Sequence, residues 1–290
     1  MTELGTTTLI SGGTRGIGLA AAAALLDHGH RLVLLGRSPH LGAGGTGARH
    51  GSGDSTATGA AEVRARLRAL LGQTGDGHRA PDGADPVSAE LVSAELVSEG
   101  RVRVEWADVA DPRAVAALAE RLAATGVRVD VLINSAGLMS QRSAKTLRTT
   151  PAHWREVMGV NLDGAFHLIA AFVPGMVERR SGRIISLSAC LGRFTGPGTS
   201  GGLAPYRVAK AALNALTKNL AAETGEGTRG ILVDAVCPGH CRTDMGGPDA
   251  PRSAAEGAQT VVWLATRDPG SREHPVLTGR LWEDGRVLDW

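Results

Sequence analysis

A β-prone run, Thr6 to Ile10, leads without a break into Ser11-Gly-Gly-Thr-Arg-Gly-Ile-Gly18. An Ala/Leu-rich helical stretch, Leu19 to His28, follows, and then a second β run from Arg31 to Leu35. Few folds accept strand, glycine turn, helix and strand in that order over so short a span. This unit lays a diphosphate on a helix N-terminus, where unpaired backbone N–H groups and the helix dipole favour an anion. Gly12, Gly16 and Gly18 are spaced Gly-x-x-x-Gly-x-Gly, not the Gly-x-Gly-x-x-Gly of the commoner dinucleotide fingerprint. A merely tight strand–helix turn is the competing reading, and the flanking pattern favours the phosphate cradle.

The end of the second strand bears on which dinucleotide is held. A carboxylate there would bind the ribose hydroxyls of NAD, but Gly36 is followed by Arg37, and Arg15 stands inside the glycine turn. Two guanidiniums suit a 2′-phosphate, so NADP(H) is expected in preference to NAD(H).

Periodicity then lapses. Residues 39–60 are rich in Gly, Ser, Ala and Thr and read as a flexible loop. Ala61 to Leu71 returns to a helix with the apolar stripe Val63, Leu67, Leu70 and Leu71, and Ser-Ala-Glu-Leu-Val occurs twice, at 88–92 and 93–97. Roughly sixty residues separate the second strand from the third, far more than one crossover needs, so 39–100 is read as containing an insertion, surface growth in preference to a substrate flap. Regular alternation resumes with a strand at Arg101–Trp106 ending in Asp108-Val109, a helix at Pro112–Ala124, and a strand at Val129–Ile133 ending in Asn134-Ser-Ala-Gly137. A long helix over Pro151–Met176 contains Asn161; a polar amide among Val160, Leu162 and Phe166 is either a satisfied core group or a catalytic one.

An apolar run, Ile184 to Leu191, reads as a buried strand; a Gly-rich loop and an Ala-rich helix follow, with Tyr206 and Lys210 at its start. Positions i and i+4 share a helix face, so phenol and ammonium can point into one cleft. A cation beside a phenol lowers its pKa, which makes a tyrosine usable as a proton donor or acceptor near neutral pH. Most such pairs are only an exposed helix face; the strand and loop ahead of this one set it apart. A sixth strand, Ile231–Val236, runs into Cys-Pro-Gly-His-Cys-Arg-Thr243, then a helix at Ala258–Ala265 and a last strand at Leu277–Trp282.

Composition narrows the class. The 290 residues are 42% hydrophobic with net charge +2, and the scattered positive charge points away from nucleic acid. No charged-then-apolar leader and no apolar stretch of membrane-spanning length is read, so the expectation is a soluble, cytoplasmic protein. Three cysteines, Cys190, Cys237 and Cys241, preclude complete disulfide pairing and lack zinc-site spacing, so no metal is expected.

Taken together, the glycine turn, the Asn-Ser-Ala-Gly tract, Asn161, Tyr206/Lys210, and Pro238-Gly239 with Thr243 resemble the classical short-chain dehydrogenase/reductase family, and the tract from Arg242 with the Trp282–Trp290 ending resembles its carbonyl-reductase-like branch. The likeness spans the chain outside 39–100. It implies an α/β fold: one Rossmann-type doubly wound parallel sheet with helices on both faces, in a single domain. It also implies hydride transfer between a nicotinamide and a carbonyl or alcohol, on a small-molecule carbonyl substrate. By that likeness Tyr206 is the general acid, Lys210 lowers its pKa and holds the nicotinamide ribose, and Asn161 anchors a water in the proton relay. The cofactor would be held by Gly12, Thr14, Arg15, Gly16, Ile17, Gly18, Arg37, Asp108, Val109, Asn134, Ala136, Gly137, Pro238, Gly239 and Thr243, besides Tyr206 and Lys210. Monomer and homo-oligomer both remain open.

One position departs from the family. A serine usually stands three residues before the glycine that follows the strand, and bonds the substrate oxygen; counting back from Gly192 reaches Ala189. Ser188 beside it should face the opposite side of a strand, unless a bulge rotates it inward and makes it the catalytic hydroxyl. Thr195, Thr199 or Ser200 from the extended loop are alternatives. Without any such hydroxyl, a substrate carrying a phenol beside its carbonyl could supply the missing bond, which suggests a hydroxylated aromatic ketone or quinone, polyketide-derived, in secondary metabolism. The resulting expectation is an NADPH-dependent ketoreductase. The alternative is a cofactor-binding protein of this fold with a non-redox role, as a cyclase, isomerase or partner subunit; Ala189 favours it, while Tyr206, Lys210 and Asn161 oppose it.

Overall fold

The structure, a computed structural model, describes residues 5–37, 54–73, 100–140, 145–268, 270 and 276–290, without side chains for 54–57, 72–73 and 198–199. The first part of the low-complexity tract and the Ser-Ala-Glu-Leu-Val repeat lie outside the described residues.

Seven strands run parallel: β1 (Thr7–Ser11), β2 (Arg31–Gly36), β3 (Val102–Trp106), β4 (Val131–Asn134), β5 (Gly182–Leu187), β6 (Ile231–Val236) and β7 (Leu281–Glu283). β8 (Arg286–Leu288) closes the edge antiparallel to β7, and the order is β3-β2-β1-β4-β5-β6-β7-β8. Successive strand side chains face opposite layers. Ile10, Leu32, Leu34, Val131, Ile133 and Ile185 point to one core, while Leu9, Val33, Leu35, Leu132, Ile184 and Val233 point to the other. The first core is covered by α1 (Gly16–Asp27), α2 (Asp54–Gln73) and α7 (Ala254–Thr266). The second is covered by α3 (Pro112–Ala124), α5 (Gly164–Arg179) and α6 (Ala204–Glu223). This is the doubly wound parallel sheet that the resemblance implied.

Local chemistry sets the helix starts. Asp111 accepts from Arg113 N–H at 2.9 Å with Pro112 at the first helical position, and Thr150 accepts from His153 N–H ahead of α4 (Pro151–Met158). Ser253 and Glu256 form a reciprocal capping box on α7. α2 begins at Asp54 instead of Ala61, because Asp54-Ser-Thr is itself a good helix start within a loop-like composition.

Four other expectations are corrected. The apolar run of β5 stops being strand at Leu187, because Cys190–Gly192 winds into a single 3-10 turn against α6. The last parallel strand is Leu281–Glu283, not Leu277–Trp282, and its antiparallel partner β8 was not anticipated. The long helix is broken at Gly159–Asp163 by a π-turn between α4 and α5. That helical run, Pro151–Arg179, contains an 18-residue window of mean hydropathy 1.4, apolar enough and long enough to cross a membrane, contrary to the expectation that no stretch is. In the fold it is a core helix, with Leu168, Ile169, Val173 and Met176 buried against the second layer.

Candidate active site

The sheet order reverses between β1 and β4, and a deep cleft opens there, at the carboxyl ends of the strands. Its empty volume, open mouth included, is about 1190 Å³. One wall is the glycine turn. Gly12 has φ +66°, and a Cβ on it would stand 2.9 Å from Ala136 N, so only glycine lets β1 and β4 close on each other here. Arg15 is the N-cap of α1 with no side-chain cap bond, which leaves the first-turn N–H groups of α1 turned to the cleft. Ser11 Oγ receives the N–H groups of Ser135 and Ala136, both at 3.2 Å, and holds the Asn-Ser-Ala-Gly tract against the turn.

Most of the expected cofactor residues share this cleft. Gly12, Thr14, Arg15, Gly16 and Ile17 line it from the turn, and Arg37, Asp108 and Val109 from the ends of β2 and β3. Ala136 and Gly137 line it after β4, and Pro238 and Thr243 after β6. Gly18, Asn134 and Gly239 do not reach it. Gly18 is buried within the turn, and Asn134 Nδ2 donates across the sheet to Ser186 Oγ at 3.4 Å. Gly239, with φ +74°, lies against the Arg252 side chain. Arg15 pairs with Asp244 at 3.1 Å across the cleft mouth, where both side chains are exposed.

Tyr206 and Lys210 occupy the floor. They sit one turn apart on α6 and both are buried, with Nζ 5.7 Å from the phenol ring centroid. Lys210 Nζ donates to Leu187 C=O at 2.6 Å. Burial lowers the Lys210 ammonium to about 8. Burial likewise pushes the Tyr206 phenol up, with Cys237 and Cys190 acting in the same direction. Burial thus acts against the acidified tyrosine expected beside a cation. Desolvation is the largest cause, and one N–H of the Lys210 ammonium is engaged by Leu187.

Two residues clamp the loop after β4 to this floor. Asn161, in the π-turn, accepts from Leu138 N–H at 2.6 Å and donates to Leu138 C=O at 2.8 Å, so its amide is satisfied and buried. Ser140 Oγ accepts from Tyr206 N–H at 3.0 Å. The start of α6 has no cap of its own, because Leu203 is left-handed with φ +51° and makes no side-chain bond. Ser140, 66 residues away in sequence, caps the helix at Tyr206.

Ser188 lines the cleft, but its hydroxyl is engaged by Asn214. Its N–H continues the ladder to Val236 C=O at 2.7 Å with no bulge, and its hydroxyl bonds Asn214 Oδ1 at 2.5 Å. The bulge that would make it the catalytic hydroxyl is absent, since the regular β5–β6 register fixes the alternation. Ala189 follows in extended backbone (φ −159°, ψ 151°) and faces away from Asn214. Thr195 and Ser200 are exposed and off the cleft. The side chain of Thr199 lies outside the described residues.

The short chain dehydrogenase family matches residues 46–253, most of the chain. The chain belongs to that family. As a short-chain dehydrogenase it is an oxidoreductase with a nicotinamide-dinucleotide site, and the cleft fits one: a glycine cradle that a Cβ would fill, an uncapped helix N-terminus, and cations at the rim. The chain is 29% identical over 259 residues to oxidoreductase UcpA of Escherichia coli K12, covering 89% of this chain and 78% of that one. It is 35% identical over 138 residues to the 3-oxoacyl-[acyl-carrier-protein] reductase FabG of Escherichia coli K12, which covers 48% and 53%. Among solved structures, a Brucella melitensis 3-oxoacyl-[acyl-carrier protein] reductase with bound NAD superposes with TM-score 0.67 at 26% identity, over 95% of this chain and 88% of that chain. A short chain dehydrogenase/reductase family protein gives TM-score 0.66 at 27% identity, over 97% and 96%.

Sequence reasoning missed Ser140, Asn214 and the Leu187 carbonyl. Asn214 was within reach of it: Tyr206, Lys210 and Asn214 recur every four residues and share one helix face. Ser140 carries no comparable mark, because only the folded loop brings it to the start of α6.

Proposed function

We propose that this short-chain dehydrogenase is an NADPH-dependent ketoreductase of the cytoplasm, with Tyr206 as the general acid. The observation that carries the reading is the buried Tyr206–Lys210 pair on the floor of a cleft whose far wall is a phosphate-type glycine turn. The cofactor, when bound, supplies the hydride. Tyr206, kept protonated by burial, gives its proton to the carbonyl oxygen as negative charge develops there. Lys210, largely protonated at neutral pH, places its charge beside that phenol and has further N–H donors for a ribose once Nζ turns from Leu187. Asn161 fixes the loop after β4; since its amide is committed to Leu138, a relay water at this position has to use the main chain.

NADP(H) is favoured over NAD(H) by the end of β2. A Cβ at Gly36 would stand 2.5 Å from the Trp106 ring and 2.8 Å from Thr14 Cγ2, so no acidic side chain fits there to take ribose hydroxyls. Arg37 and Arg15 flank the same part of the cleft. Carbonyl reduction agrees with the reductases among the relatives. The substrate is a small molecule, neither nucleic acid nor membrane. With Ser188 bonded to Asn214 and alanine at 189, a ketone or quinone carrying its own adjacent phenol fits best, of the kind found in polyketide-derived secondary metabolism. Ala189 also favours a non-redox cyclase, isomerase or partner subunit on this fold.

The test is NADPH oxidation over a panel of aromatic ketones and quinones, with wild type and Tyr206→Phe side by side and NADPH binding measured in both. The expected outcome is turnover that Tyr206→Phe abolishes while NADPH still binds more tightly than NADH. Turnover untouched by Tyr206→Phe would put the acid elsewhere, and tight NADPH binding without turnover would support the non-redox reading.

A further inference from the structure

Two reactive side chains that reduction does not use come together beside Tyr206. Cys190 opens the 3-10 turn after β5, and Cys237 follows β6. These strands are neighbours in register as far as Leu187↔Val236, so the two cysteines leave the sheet side by side. Cys190 N–H donates to Cys237 Sγ at 3.1 Å, and the Cys237 thiol donates to Glu283 Oε1 at 3.2 Å. One N–Cα bond added to that contact keeps the Cys190 Cα within about 4.6 Å of the Cys237 sulfur, a separation of the order that a disulfide spans. Both belong to one apolar cluster with Ala235 and Leu281.

The two thiols are unlike. Cys190 is half-buried, and its interaction with Cys237, aided by Arg193, lowers its thiol to about 6 against burial and Glu283. Cys237 is buried and its thiol is pushed up, by the Cys190 interaction and then by burial. Cys190 is the more reachable and the more acidic of the two, and Cys237 lies behind it with a carboxylate at hand. That is the division of labour of an attacking and a resolving cysteine.

We propose that Cys190 and Cys237 form a peroxide-reactive pair that closes a disulfide at the edge of the active site. The Cys190 thiolate attacks the near oxygen of a hydroperoxide; the O–O bond breaks, the sulfur is oxidised to the sulfenic acid, and the far oxygen leaves as water or an alcohol after taking a proton. The Cys237 sulfur then attacks the Cys190 sulfur, the S–O bond breaks, and the proton of Cys237, passed through Glu283, leaves with the hydroxide as water. Two thiols and one hydroperoxide become a disulfide, one water, and a second water or one alcohol.

The consequence reaches the catalytic helix through the turn Cys190–Gly192. A Cβ on Gly192 would stand 2.7 Å from the Lys210 carbonyl carbon, Asn214 Nδ2 donates to Gly192 C=O at 3.4 Å, and Arg207 Nη1 to Leu191 C=O at 3.4 Å. Drawing Cys190 onto Cys237 shifts the surface on which Tyr206 and Lys210 are seated, and turnover falls.

The experiment exposes the full-length protein to hydrogen peroxide, blocks free thiols, and maps cysteine linkages by mass spectrometry while turnover is followed. The expected result is a Cys190–Cys237 linkage two hydrogens lighter than the reduced peptides, with ketone reduction down ~10-fold or more, as a misplaced catalytic group produces, and restored by dithiothreitol. Cys237→Ser should stop at a sulfenic acid that dimedone captures, and Cys190→Ser should lose no activity to peroxide relative to its own untreated sample. Oxidation of Cys190 to the sulfinic acid without linkage, a linkage to Cys241, or an equal peroxide loss in Cys190→Ser overturns the proposal. A linkage that leaves turnover unchanged overturns its coupling to the active site. The linkage is read by mass alone, so its outcome stands apart from that of the ketoreductase reading.

Discussion

Tyr206 is the single tyrosine of the chain, so its ionisation can be read without interference from another phenol. Burial holds the phenol above the ordinary tyrosine value, and phenolate absorbance of the folded protein should appear only at pH higher than for a free tyrosine. A phenolate signal at neutral pH would contradict the desolvated floor. Ala189 makes a second prediction at this scale. Ala189→Ser restores one donor near the reacting oxygen and should raise turnover of simple ketones by ~10²–10³, while leaving ketones with an adjacent phenol nearly unchanged. An equal gain on every ketone would count against the internal hydrogen bond. The residue identities at 189, 206 and 210 were legible because strand alternation and helix spacing are short-range rules. The orientation of Ser188 followed from the same alternation once no bulge intervened.

At the scale of elements, boundaries shifted wherever a distant partner stabilised an unexpected local geometry. The π-turn at Gly159–Asp163 interrupts an apolar helix whose periodicity does not announce it. It is held by Asn161 on the Leu138 backbone, and such turns recur at functional sites. The start of β2 carries another long-range tie: Thr8 Oγ1 on β1 and His30 Nδ1 lie 2.7 Å apart in the core. Burial, with His28, Arg183 and Arg101 in the same direction, lowers His30 from 6.5 to about 4. Between those values the unfolded chain takes up a proton that the folded chain refuses, so stability is full above pH 6.5 and is lost as pH falls towards 4. The loss amounts to at most about 3 kcal/mol. Urea unfolding should show a falling midpoint over that interval, flattened in His30→Gln; a midpoint independent of pH there would refute it.

For the whole molecule, one buried ion pair joins β6, α7 and the closing hairpin. Asp234 receives Arg267 Nη2 at 2.6 Å, Trp282 Nε1 at 2.8 Å and Thr278 Oγ1 at 3.2 Å. The Arg267 guanidinium lies 5.1 Å from the Trp263 ring and 5.3 Å from Trp282. Burial raises the Asp234 carboxyl, and Arg267 and the donors only partly oppose it. Removing one partner strands the other charge in the core, so Asp234→Ala should destabilise the protein by about 3–5 kcal/mol. Because the pair lies off the cleft, turnover per folded molecule should hold. Chemical unfolding beside a single-temperature activity assay separates the two, and a fall in turnover without loss of stability would tie the pair to the site instead.

By itself the sequence determined the alternation of strand and helix, the glycine cradle, the Tyr206–Lys210 face, the alanine at 189 and the family. Each rests on side-chain period, on glycine's tolerance of close approach, or on motif order, all readable along a line. Only the tertiary structure decided that burial pushes the tyrosine up, that Lys210 is engaged by Leu187, that Ser140 caps the helix carrying Tyr206, and that Cys190 meets Cys237. Those outcomes depend on desolvation and on hydrogen bonds between residues tens of positions apart. Both are set by which strands become neighbours, and no local pattern records that.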